Sequence, residues 1–159
     1  MNTNAVTITT EPDTPFIDIV REFDAPVERV FAAHTDPELF ARWIGPRGYD
    51  TTIDALDTRS GGRYRFVQTG PAGSGPFAFN GIFHVVHPNE LIIQTFEFEG
   101  VPNVVSLESH TFESLPEGRS RLSSHSVFPS VAARDGMVAS GMEHGVVEGY
   151  ERLDELFAA

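Results

Sequence analysis

Cysteine is missing from all 159 residues. That excludes a disulfide framework, a thiolate metal site and a cysteine nucleophile. The absence fits a reducing compartment, and a cytoplasmic location is expected. No apolar run reaches transmembrane length, so membrane insertion is not expected. Residues Met1–Thr14 lack the basic and apolar regions of a signal peptide. They are expected to form a flexible N-terminal lead, followed by a single domain over 15–159. Basic residues are scarce, with Lys+Arg 11 against Asp+Glu 23 and a formal net charge of −12. Phosphate backbones and anionic bilayers select basic patches, which argues against nucleic acid and membrane surfaces as partners. Such a charge otherwise serves solubility. Neither a Gly-x-Ser-x-Gly elbow, a P-loop, a dinucleotide fingerprint nor a His-Glu-x-x-His motif is present.

Aromatic residues are unevenly used: Phe 13 against Trp 1 and Tyr 3. So many apolar rings imply a large aromatic core or an aromatic-lined cavity. Along the chain, Phe16–Asp24 alternates as a strand. Ala25-Pro26 opens a helix with Val27, Val30 and Phe31 inward. A second short helix follows, capped by Thr35 in capping-box spacing with Glu38 or by Asp36 before Pro37. It carries Leu39, Phe40 and Trp43, and Gly45-Pro46 stops it. Strands are then predicted over Asp50–Asp57, Arg63–Thr69, Phe77–His87, Glu90–Glu99, Val104–Leu115 and Arg119–Phe128. Phe79, Gly81, Phe83 and Val85 are expected to share one face. Gly70–Pro76 reads as a flexible hairpin loop.

The C-terminal stretch reads as one amphipathic helix over 131–157, roughly 40 Å long at 1.5 Å per residue. Val138, Met142, Val146, Gly149, Leu153 and Leu156 form its apolar stripe. Gly141, Gly145 and Gly149 run along its edge. Each costs about 1 kcal/mol relative to Ala in a helix interior, so a close neighbour is expected there. Segregated helices and hairpin-length connections indicate an α+β fold with an antiparallel sheet.

Several segments together resemble a known family. Ala25–Phe31, Asp36-Pro37-Glu38 and Trp43–Pro46 are similar to the opening of the heat-shock-protein-90 ATPase activator homologues. Those proteins belong to the START-like helix-grip superfamily (SRPBCC), which also includes polyketide cyclases. Gly61–Phe66, Gly81-Ile82-Phe83 before His87-Pro88, and Gly145–Leu153 resemble later family motifs. The resemblance spans about residues 16–157. It implies a curved seven-stranded antiparallel sheet around a long C-terminal helix, with two short helices after strand 1. It also implies a cavity between sheet and helix. Many members carry Trp where this chain has Val146, which predicts a larger or reshaped cavity here.

The expected occupant is a small apolar molecule, with no cofactor and no metal. The predicted lining is Phe31, Trp43, Tyr64, Phe66, Phe79, Phe83, Phe96, Met137, Met142 and Val146, with His110 and His125 as polar anchors. Ligand pockets are largely apolar with a few polar groups, and Met adapts to variable ligands. If Glu117-Gly118 centre the hairpin turn, residue 110 faces 125, and the two imidazoles become cross-strand neighbours. A one-residue bulge would break that register. His34, His84, His87 and His144 complete the histidines; 84 and 87 point to opposite faces of a regular strand. Ser109, Ser123, Ser124 and Ser126 are hydroxyl anchors or, on the favoured reading, ordinary residues of a half-buried sheet; Glu22, Glu97 and Glu113 could serve as buried bases, but solvated carboxylates are the favoured reading. Two other readings remain open: a co-chaperone-like protein-interaction module, with a protein partner or a homodimer, and a cyclase- or hydratase-like enzyme using His or Glu as general base.

Overall fold

Alternating strands and a terminal pair of helices build the helix-grip arrangement. The computed structural model describes residues 4–159. Its elements are β1 (Thr7–Thr9), β2 (Phe16–Phe23), α1 (Val27–Thr35), α2 (Pro37–Trp43), β3 (Asp50–Leu56), β4 (Arg63–Thr69), β5 (Phe77–His87), β6 (Leu91–Phe98), β7 (Val105–Leu115), β8 (Arg119–Val127), α3 (Val131–Ala139) and α4 (Met142–Ala158). The strands form one 8-stranded antiparallel sheet in the order β1-β2-β8-β7-β6-β5-β4-β3.

Two features differ from the sequence expectation. The sheet has an eighth strand, because Thr7–Thr9 of the predicted loose lead pairs with Asp18–Val20 of β2. Residues 1–3 of that lead lie outside the described residues. The terminal helix is also not continuous. It breaks at Ser140-Gly141, where Gly141 adopts φ +85 and caps α4. That left-handed geometry is open to Gly at little steric cost, which explains one of the three edge glycines.

Alternation decides which residues face the helices. Ile17, Phe23, Tyr64, Phe66, Phe83, Ile92, Phe112 and Leu122 are buried on the concave side. A β-bulge between Phe83 and Val85 shifts the pattern, so Val86 rather than Val85 packs against the core. At one end α1 and α2 close the sheet. Asp36 settles the alternative caps: its carboxylate accepts from the Glu38 and Leu39 amides at 2.9 and 3.4 Å. Phe31 meets Phe112 edge-on at 5.1 Å, and Trp43 stacks on Tyr150 of α4 at 5.8 Å. The Trp43 indole N–H donates to the Ala33 carbonyl at 2.9 Å, which satisfies the buried ring.

The outer face carries charge instead. Glu22, Arg121 and Glu113 stand in register across β2, β8 and β7, and Arg119 joins them. Arg119 first, then Arg121, hold the Glu22 carboxyl below its usual range. Glu97 accepts from the Asn103 amide at 2.7 Å. Glu22, Glu97 and Glu113 are therefore structural partners on the outer face and not buried bases.

Candidate functional site

The middle of the concave face is polar, and β7 supplies its key groups. Ser106, Glu108, His110 and Phe112 are spaced by two and so share that face. Opposite them stand Gln94 and Phe96 on β6, and Ser124 and Ser126 on β8. Gln94 Nε2 donates to Glu108 Oε1 at 3.0 Å. Ser126 Oγ lies 3.5 Å from Glu108 Oε2. His110 Nε2 lies 3.4 Å from Glu108 Oε1, and its Nδ1 is 2.7 Å from Ser124 Oγ. A neutral ring can then donate through Nε2 and accept at Nδ1 from Ser124. From above, Tyr150 of α4 approaches the same serine.

The network thus runs Ser124–His110–Glu108–Gln94 along the sheet, with Tyr150 of α4 beside it. Burial, then the nearby Glu108 charge, push the Tyr150 phenol up to about 12. The same two causes raise Tyr64 well above its ordinary value, and its hydroxyl donates to the Thr95 carbonyl at 2.5 Å. Burial between Trp43 and Phe112 holds the His34 imidazole down at about 4. Its Nδ1 contacts the Val30 carbonyl at 2.7 Å.

Glu108 and His110 keep 19% and 18% of their side-chain surface accessible, although Phe112 and Ser124 beside them are buried. Beside this polar centre opens a recess of ≈ 310 Å³. Phe96, Phe98 and Ser106 line it from the sheet, Phe128 from the β8–α3 connection, and Gly136 and Met137 from α3. Val101 and Val104 of the β6–β7 connection complete its rim. Ser106 is one same-face step, about 7 Å, from Glu108 along β7.

The predicted lining residues divide. Phe96 and Met137 line this recess. Phe31, Trp43, Tyr64, Phe66 and Phe83 are buried in the main core, and Phe79 and Val146 pack against it. Met142 begins α4 and is half-buried. The two imidazoles do not meet: the register pairs Ser109 with His125 and His110 with Ser124, because the turn spans Pro116–Gly118. His125 instead bonds Asp18 at 2.6 Å on the outer face and lies against Phe16. Gly149, not Gly145, carries the close approach. A Cβ there would stand 3.3 Å from the Trp43 carbonyl oxygen, whereas at Gly145 it would meet only Pro46 Cδ at 3.6 Å. Among the described residues no group of three His, Cys, Asp or Glu side chains could hold a metal. None of the helices described is long and apolar enough to cross a membrane.

This geometry has counterparts. The family described as Activator of Hsp90 ATPase homolog 1-like protein matches residues 24–158. The chain belongs to that family. Solved structures similar to this member include a Rhodobacter sphaeroides protein, 27% identical with TM-score 0.86, covering 97% of this chain and 99% of that one. A Mycobacterium smegmatis protein is 26% identical with TM-score 0.85, covering 96% of both chains. The solution structure of an Arthrobacter aurescens protein is 28% identical with TM-score 0.84, covering 93% of this chain and 88% of that one. No curated protein sequence matches this one. The family and the fold are thereby established, and fold alone does not assign an activity.

Proposed function

We propose that this protein binds a small, largely apolar molecule in the recess between the sheet and α3. The observation that carries this reading is the pairing of two features. An aromatic-lined space of ≈ 310 Å³ adjoins a polar centre whose Glu108 and His110 stay partly accessible. Apolar walls with a few convergent polar groups are the usual make-up of a small-molecule site. Burial of the ligand would supply affinity at about 25 cal/mol per Å² of apolar surface, and the polar centre would orient it. Titration with a neutral environment-sensitive dye, N-phenyl-1-naphthylamine, tests this. Gly136 lines the recess and has open space where a side chain would grow. Gly136→Phe should fill the site and abolish saturable dye binding while the melting temperature holds or rises. Unchanged dye binding in the folded variant would place the site elsewhere.

A second reading, a protein-interaction module, draws on the outer face. Phe16, Val105 and Leu107 are exposed there, and Phe16 and Leu107 both pair in register with Val127. Leu107→Asp should leave dye binding intact on the recess reading. A partner lost with this variant would support the second.

A further inference from the structure

We infer that the recess selects molecules that carry a protonated amine or a comparable hydrogen-bond donor on an apolar body, and that Glu108 is the selecting residue. This rests on the reading that the recess is the binding site.

The argument begins with unspent hydrogen-bonding capacity. An ionised carboxylate accepts about four hydrogen bonds. Glu108 Oε1 receives Gln94 at 3.0 Å and the longer His110 contact at 3.4 Å. Oε2 has one marginal contact, to Ser126 at 3.5 Å. Among the described residues no arginine pairs with Glu108, and the sequence contains no lysine. The buried guanidiniums of Arg21 and Arg134 and the half-buried one of Arg152 are committed elsewhere. Arg21 grips Asp154 at 2.8 and 2.6 Å, and Arg134 bonds Asp135 and the carbonyls of Glu11 and Phe16. Arg152 is occupied by the Arg42 carbonyl at 2.8 Å and the carbonyls of Ile44 to Pro46.

The nearby hydroxyls are spent as well. Tyr64 donates to the Thr95 carbonyl, and Ser124 is engaged with His110. One same-face step beyond Ser106, at the edge of the recess, therefore stands a carboxylate acceptor, Glu108, that has His110 Nε2 beside it and no arginine or lysine partner among the described residues. A ligand carboxylate there would meet repulsion and lose its hydration. A ligand N–H supplies the missing donor, and hydrogen bonds to charged groups are the stronger ones. The apolar walls agree with this choice. Phe96, Phe98 and Phe128 offer ring faces that attract a cation, and Met137 is polarizable. The net charge of −12 adds a long-range bias toward cations.

Three probes of matched size separate charge from shape: tryptamine as the cation, tryptophol as the neutral donor and indole-3-acetate as the anion. Calorimetric titration at about 0.15 M salt shortens the reach of the overall charge to about 8 Å. The expected order is tryptamine tightest, by about tenfold over tryptophol, with indole-3-acetate weakest. Glu108→Gln should remove about tenfold of the tryptamine affinity and bring the three probes together. Glu117→Gln changes net charge equally at the far end of β7, on an exposed turn, and should leave the order intact. Retained binding of the neutral dye shows that each variant is folded with its recess open. An equal or inverted order in the native protein, or an unchanged order in Glu108→Gln, overturns charge selection while the recess stands. An order lost equally in Glu117→Gln overturns it too, because the field of the whole protein then does the selecting. Failure of the dye and all three probes to bind overturns both readings.

Discussion

Arg21 and Asp154 form a two-pronged pair, at 2.8 and 2.6 Å, that ties β2 to α4 across 133 residues of sequence. The guanidinium is 2% exposed and the carboxylate 32%. It also lies 4.9 Å over the Phe23 ring. The two ends of the pair are therefore unequal: Asp154 can reach water if its partner is lost, and Arg21 cannot.

That inequality predicts unequal mutants. Asp154→Ala leaves a buried cation without its counter-charge, which costs about 3 kcal/mol or more. Arg21→Met leaves an aspartate that can hydrate, and a neutral side chain of similar length in its place. It should cost clearly less. Urea unfolding of both variants gives the comparison. Equal losses would mean that the burial of Arg21 does not govern the pair.

The edge glycines predict opposite signs. Gly145→Ala meets only Pro46 at ordinary contact distance, so removing backbone freedom should stabilise by about 0.5–1 kcal/mol. Gly149→Leu must displace the backbone of Trp43 and Gly45, and overpacking of that kind costs about 1–3 kcal/mol. Thermal melts of the two variants should move in opposite directions.

His34 predicts a loss of stability in acid. Its ordinary value is 6.5 and burial lowers it to about 4 in the fold. Between those values the unfolded chain binds the proton and the folded chain does not. Stability from this residue is full above pH 6.5 and falls as pH drops toward about 4, by about 3 kcal/mol in all. Arginine-paired carboxylates such as Glu22 and Glu99 add their own slopes, so the test is a difference. His34→Phe should flatten the stability curve between pH 4 and 6.5 relative to the native protein. Parallel curves would show that His34 takes up its proton without opposing the fold.

Much of the fold was readable because it depends on local periodicity. Arg63 and Arg65 alternate with Tyr64 and Phe66, and the strand places them outward and inward as that pattern requires. The edge strand Thr7–Thr9 escaped notice because Thr-Ile-Thr, although it alternates, is too short a run to mark a strand. The break at Gly141 escaped because the apolar stripe continues across it. At the site, the His110–His125 pairing failed by a single residue of register, and a slip of one turns a side chain to the other face. Glu108 was legible in principle. It shares the two-residue spacing of His110 and Phe112, and a charged residue in step with buried neighbours is the signal that would have singled it out. Gln94 and Tyr150 depended on long-range pairing that no local pattern encodes.

Where the ligand sits is the central claim, and backbone and side-chain amide shifts read it directly. A ¹H–¹⁵N spectrum recorded during titration with N-phenyl-1-naphthylamine should show saturable changes at the amides of Phe96, Ser106, Gly136 and Met137. The Gln94 side-chain amide, which donates to Glu108, should move with them. Changes confined to the outer-face strands around Phe16, Leu107 and Val127, or no saturable change at all, would contradict a binding site between the sheet and α3.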